Sequence, residues 1–207
     1  FLGHIVDAEG VHTDPMKVEA MKNWETHKRV KDVRSFLGLT GYYRRFIQDY
    51  GKIAKPLHQL TEKDQSFHWT EETQHAFDEL KKALTSTPVL GYPSRREEDV
   101  FILDTDASNC HIGAVLSQLQ DGREIVIAYG SKVLSTSERN YCVTRRELLA
   151  VVHFCTQFKH YLIGIEFKLR TDHGALTWLF NFKQPEGQIA RWLELLSQFQ
   201  MTIIHRP

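Results

Sequence analysis

The run Val100-Phe101-Ile102-Leu103 constrains the possible folds of this chain more than any other segment. Four consecutive apolar residues describe a strand covered on both faces, which requires a sheet with neighbouring strands and helices packed on it. The segments that follow supply those neighbours. Ile112 to Leu119 and Glu124 to Tyr129 flank Asp121-Gly122, a dipeptide suited to a two-residue hairpin turn, so three strands should succeed one another in hairpins. A long amphipathic helix then runs from about Arg145 to Tyr161, and Phe167 to Thr171 reads as a strand. A short helix from Ala175, a helix from Gly187 to Phe199 and a last strand, Met201 to His205, complete the order β-β-β-α-β-α-α-β. That order predicts a mixed sheet with flanking helices, an α+β or α/β architecture.

The first ninety residues read differently. Residues 1–6 and 11–13 predict a β-hairpin around Asp7-Ala8-Glu9-Gly10, and Asp14-Pro15 supplies an N-cap followed by proline at the first helical position. Helical periodicity continues from Lys28 to Tyr50, where Gly38 and Gly41 predict a break into two helices. A further helix, capped by Thr70 and carrying Glu71 and Glu72 in its first turn, extends to Leu84 and stops at Pro88. The expected divisions are 1–24 (hairpin and first helix), 25–93 (helical unit and linker) and 94–207 (mixed sheet). The boundary is placed in the charged stretch Ser94 to Asp99.

Composition narrows the class. The hydrophobic content of 42% is enough for a core, no apolar run is long enough to span a bilayer, and no basic-then-apolar leader opens the chain. Cys110, Cys142 and Cys155 are odd in number and lack CxxC spacing, which predicts reduced thiols in an intracellular protein, cytoplasmic or nuclear. Both ends fall within or beside apolar runs, as expected of a piece of a longer polypeptide. Lys+Arg and Asp+Glu both number 26, and zero net charge argues at first sight against a nucleic-acid partner. The average conceals a local excess, because residues 26–55 hold eight basic and two acidic residues.

Three carboxylates stand at strand or helix ends. Asp106 follows the apolar run, with Asp104 on the same face because strand side chains alternate. Glu147 lies in the first turn of the long helix, and Asp172 ends the fourth strand. Converging acids repel unless cations sit between them, and Mg²⁺ favours such oxygens. Each acid also has a plainer role. Thr144 and Glu147 have the spacing of a capping box, Asp172 can cap the helix from Ala175, and Asp104 and Asp106 can form a solvated strand end. His153, Cys155 and His160 lie on an apolar helix and read as core or surface residues. Tyr42, Tyr43, Trp178 and Trp192 offer stacking faces, with core the preferred reading for Trp192.

Thr105-Asp106-Ala107-Ser108 with Ile112-Gly113-Ala114-Val115-Leu116-Ser117-Gln118 resembles the first hairpin of the ribonuclease H domain in gypsy-type LTR retrotransposon Pol polyproteins. Asn140-Tyr141, Arg146-Glu147-Leu148-Leu149-Ala150, Thr171-Asp172-His173 and His205-Arg206-Pro207 extend that resemblance. Phe1-Leu2-Gly3-His4 is similar to the primer-grip hairpin of the reverse transcriptase. Arg34-Ser35-Phe36-Leu37-Gly38-Leu39, Tyr42-Tyr43-Arg44-Arg45-Phe46 and Ile53-Ala54-x-Pro56-Leu57 are similar to its thumb.

The resemblance implies hydrolysis of the RNA strand of an RNA–DNA hybrid by two Mg²⁺ ions, with Mn²⁺ as a substitute. Asp106, Glu147 and Asp172 are then the metal ligands, while Asp104 matches a variable position and receives no role. It also implies that Phe1, Leu2, Gly3, His4, Arg34, Arg44 and Arg45 contact the primer–template duplex, whose phosphates fix position without reading sequence. The implied partners are palm and fingers upstream and an integrase downstream, with no membrane. Two departures accompany it. The family's fourth carboxylate falls after the His-Arg-Pro motif, and the chain contains no adjacent pair of aspartates for nucleotide addition. The alternatives are a non-catalytic scaffold of connection-domain type or a decayed element copy.

Overall fold

The computed structural model describes residues 3–25, 29–63, 66–86, 89–179 and 186–206, apart from the side chains of Trp178 and Leu179. Two compact units, Phe1–Tyr92 and Pro93–Pro207, make up the chain.

In the first unit, β1 (His4–Val6) and β2 (Val11–Thr13) form the expected antiparallel hairpin. Gly10, at φ +146°, is needed where the hairpin meets the strand-like bridge to Leu90, because a Cβ there would come within 2.3 Å of the Leu90 carbonyl. Helix α1 (Pro15–Lys22) starts as its sequence dictates, with the Asp14 carboxylate accepting the Met16 N–H at 2.9 Å.

Helix α2 (Val30–Tyr42) departs from expectation by running unbroken through Gly38 and Gly41. Its buried stripe of Val33, Phe36, Leu37 and Thr40 is continuous, and that burial outweighs the roughly 1 kcal/mol that each glycine costs a helix. The break comes instead at Tyr43, followed by a single 3₁₀ turn (Arg44–Phe46) and then Asp49 in the left-handed region at φ +55°. Helix α3 (Tyr50–Gln59) carries Pro56 inside it, a position where proline normally argues against a helix. Helix α4 (Glu71–Thr85) begins on a capping box between Thr70 and Thr73. The helices meet through Phe36 and Phe77, ring centroids 4.6 Å apart, with Trp24 and Trp69 set edge-on around them.

The second unit is a five-stranded mixed sheet of order β5-β4-β3-β6-β7. Its strands are β3 (Val100–Ala107), β4 (His111–Gln120), β5 (Arg123–Val133), β6 (Glu166–Thr171) and β7 (Gln200–His205). The first three are antiparallel hairpin neighbours; β6 and β7 run parallel to β3. Helices α5 (Thr136–Arg139), α6 (Val143–Gln157), α7 (Lys159–Leu162), α8 (Leu176–Leu179) and α9 (Gly187–Leu196) complete it, so the single long helix expected from Arg145 to Tyr161 divides at Phe158.

Phe101, Leu103, Phe167 and Leu169 point to one face of the sheet, where α6 buries Leu148, Val151, Phe154 and Cys155 against them. Burial pushes the Cys155 thiol up to about 12, so it is an inert core residue. Gly130 on β5 admits the Phe154 ring, whose carbons lie 2.7–2.8 Å from where a Cβ would be. All three cysteines are free thiols. No helix among the described residues is long and apolar enough to cross a membrane.

The opposite face carries an ion-pair network. Arg170 on β6 donates from Nε to Asp104 Oδ1 (2.7 Å) and from Nη2 to Asp104 Oδ2, and reaches Glu124 on β5 at 2.6 and 3.0 Å. Ser117 on β4 donates to the same Glu124 at 2.8 Å, so side chains of four strands join. Asp104 thus has a structural partner. Arg170→Ala leaves two facing carboxylates without a cation and should cost roughly 2 kcal/mol, more than an isolated surface pair. Urea unfolding measures that loss, and Arg170→Lys should recover only part of it because ammonium lacks the fork.

Candidate active site

The sheet register brings the three carboxylates together. Asp104 on β3 pairs with Arg170 on parallel β6. Two residues further on, Asp106 stands near the end of β3 and Asp172 stands one residue past the end of β6. Glu147 comes from α6, which packs over β3 and enters from the helical side. Carboxylate oxygens of Asp106, Glu147 and Asp172 all lie within 4.8 Å of one another, the one such group of three or more potential ligands among the described residues.

Their surroundings differ sharply. Asp106 and Asp172 are exposed, whereas Glu147 is 4% exposed and its Oε2 is buried without a hydrogen-bond partner. Burial first, then the negative charges of Asp172 and Asp106, push the Glu147 carboxyl up to about 7; a hydrogen bond from the Ala107 backbone and the Arg146 charge oppose this only in part. An orphaned buried oxygen beside two further carboxylates fits a divalent cation, and an all-oxygen donor set suits a hard one.

The capping-box reading of Glu147 does not hold. The N-cap of α6 is Cys142, without a side-chain cap bond, which places Thr144 inside the helix. Its hydroxyl instead meets His173 Nε2 at 2.9 Å. Beside it, the Arg145 guanidinium lies 4.3 Å from the Tyr141 ring centroid and 6.0 Å from that of Trp192, and it bonds Gln188. Trp192 packs partly buried against the core, and the Trp178 side chain lies outside the described residues. His153 contacts the Phe154 ring and His160 the Tyr161 ring.

In the first unit, Phe1 and Leu2 lie outside the described residues. The Gly3 carbonyl accepts the Tyr43 hydroxyl at 2.6 Å, and the His4 ring packs among Tyr42, Tyr43 and Phe46. Arg34 donates to the Thr61 carbonyl at 3.1 Å, and Arg44 and Arg45 lie over the Tyr50 and Phe46 rings. Five of the seven expected contact residues are therefore described, each with an intramolecular role.

A sequence profile for the RNase H-like domain found in reverse transcriptase matches residues 96–199, which include all three carboxylates. The chain belongs to this family. Its relatives include the retrovirus-related Pol polyproteins of the Drosophila melanogaster transposons 297 and opus. They are 40% and 38% identical to it, over 98% and 100% of this chain but 19% and 22% of their own lengths. The Tf2-3 transposon polyprotein of Schizosaccharomyces pombe is 34% identical over 100% of the chain and 16% of its own. The chain thus spans about a fifth of the length of the two Drosophila relatives. In fold it is similar to the foamy viral protease-reverse transcriptase in complex with RNA/DNA hybrid, with a TM-score of 0.81 at 21% identity, over 100% of this chain and 28% of that one. The same viral protein in complex with dsDNA gives 0.79 at 20%, over 100% and 44%. RNase H-like domains of Pol polyproteins are of the hydrolase kind and use divalent metal, and the acid cluster of this RNase H-like domain is of a size to hold one.

Proposed function

We propose that the chain is a nuclease segment of a retrotransposon reverse transcriptase that hydrolyses the RNA strand of RNA–DNA hybrids. The observation that carries this reading is the buried, unpartnered Glu147 oxygen facing Asp106 and Asp172 at the ends of two adjacent parallel strands. Asp106, Glu147 and Asp172 hold Mg²⁺, with Mn²⁺ as a substitute. Such ions, when bound, lower the pKa of a water nucleophile and stabilise charge on the scissile phosphate.

The protein's own groups do the rest. Asp106 and Asp172, exposed at the open face, are accessible to a phosphate backbone, while Glu147 is screened from water and holds its proton more tightly than an exposed carboxyl does. The Thr144 and His173 pair braces the helix start against the Asp172 loop. The helical unit, as primer grip and thumb, holds the duplex. Arg34, Arg44 and Arg45 neutralise phosphates, and Gly3 and His4, with Phe1 and Leu2 as further proposed contacts, meet the primer–template duplex. Hybrid specificity rests on duplex shape and 2′-hydroxyls rather than on base edges. Palm, fingers and integrase segments are the proposed neighbours in the polyprotein.

The test uses a hybrid with a 5′-labelled RNA strand. With Mg²⁺ or Mn²⁺ the chain should cut the RNA to fragments ending in 3′-hydroxyl, leave single-stranded RNA and duplex DNA intact, and stop on EDTA addition. Tight hybrid binding with no cutting under either metal would favour the scaffold role instead.

A further inference from the structure

The loop that presents Asp172 is held from two sides. On one side His173 Nε2 meets Thr144 Oγ1 at 2.9 Å, tying the loop to α6 three residues before Glu147. The other side belongs to β7, the edge strand. There the β6–β7 ladder ends at the pair Thr171 and His205, and the Arg206 N–H reaches the Thr171 carbonyl at 2.8 Å. One residue later the chain bends away, and the next carbonyl, that of Asp172, accepts the His205 Nε2–H at 2.9 Å. The imidazole also lies under the bend, since a Cβ on Gly174 would sit 3.6–3.8 Å from three of its ring atoms.

The position of a side chain is set by the two peptide planes that flank it. For Asp172 the preceding plane is fixed by the sheet, and the following plane is the one His205 grips. A carboxylate that must meet two others within 4.8 Å tolerates little rotation about that bond.

We propose that His205 is a positioning residue for the metal site, its ring N–H locking the peptide plane after Asp172 so that the carboxylate stays in register with Asp106 and Glu147. The inference rests on reading the triad as a divalent-cation site. His205 lies beyond residues 96–199, where the family profile matches. The ring never touches the cation or the substrate; it acts through the main chain of a ligand residue.

Three variants separate the hydrogen bond from packing. His205→Phe keeps a ring and removes the donor, His205→Ala removes both, and His205→Gln restores an N–H donor without the ring. Mn²⁺ binding to the full chain, followed by EPR without nucleic acid, is the primary readout, and Mg²⁺ dependence of hybrid cleavage is the second. The Phe and Ala variants should need about tenfold more Mn²⁺ for half-saturation. Cleavage at saturating metal and hybrid affinity in Ca²⁺ should stay within about twofold of the parent. The Gln variant should return within about threefold of the parent. Parent-like Mn²⁺ binding by a folded Phe variant overturns the proposal, as does a Gln variant no better than Ala. A parent chain that binds Mn²⁺ but cuts no hybrid sinks the nuclease reading and leaves the positioning role standing. A parent that binds no Mn²⁺ removes both.

Discussion

Asp106→Asn should abolish hybrid cleavage, by on the order of 10³-fold or more, a loss of about 4 kcal/mol or more of transition-state stabilisation. The substitution keeps shape and removes one charge, and Asp106 is exposed at the end of β3, so the fold has little reason to respond. Removing one of three mutually repelling carboxylates also relieves Glu147, whose pKa should fall. The variant should therefore bind hybrid as the parent does, melt at the same or a slightly higher temperature, and lose turnover alone. Single-turnover cleavage with labelled RNA is the measurement. Normal cutting by this variant would remove Asp106, and with it the triad, from the chemistry.

Glu147→Gln should move stability in the same direction, and by more. The folded protein holds the Glu147 carboxyl at about 7, against about 4.5 when exposed to water. Below pH 4.5 the proton is on in both folded and unfolded chains, and the group contributes nothing. Between the two values the folded chain keeps a proton that the unfolded chain has lost, so stability falls as pH rises, and above 7 the penalty is complete. At about 1.4 kcal/mol per unit this is on the order of 3 kcal/mol by pH 8. In EDTA at pH 8 the Gln variant should accordingly unfold at higher urea than the parent, and the gap should close by pH 4.5. Mg²⁺ at pH 8 should stabilise the parent and leave the variant unmoved. Parallel pH profiles for the two chains would show that Glu147 is not the strained group.

The strand and helix order of the second unit was legible because each segment carries its own periodicity, and the Asp121-Gly122 turn adopts the positive φ angles its residues favour. Local patterns misled where tertiary burial outweighed them. Gly38 and Gly41 lie within a helix whose opposite stripe is buried. At the site, Thr144 and Glu147 have capping-box spacing, but the helix begins at Val143 with Cys142 as its N-cap, and no local rule fixes that start. The Arg170 ion pairs and the His205 contact were invisible for another reason: each joins residues 33 or more positions apart and appears only once the strand register is known.

The parallel register of β3 and β6 makes the active site a product of counting. Asp106 and Asp172 face each other because both stand two residues past the Asp104–Arg170 pair, with the whole of β4, β5 and α6 looped out between them. Residues gained or lost in those loops leave the spacing untouched, whereas one residue inserted within Val100 to Thr105 would turn the Asp106 carboxylate to the helical side. Descendants of such a chain can lengthen and drift almost everywhere around the sheet, provided two short strands keep step.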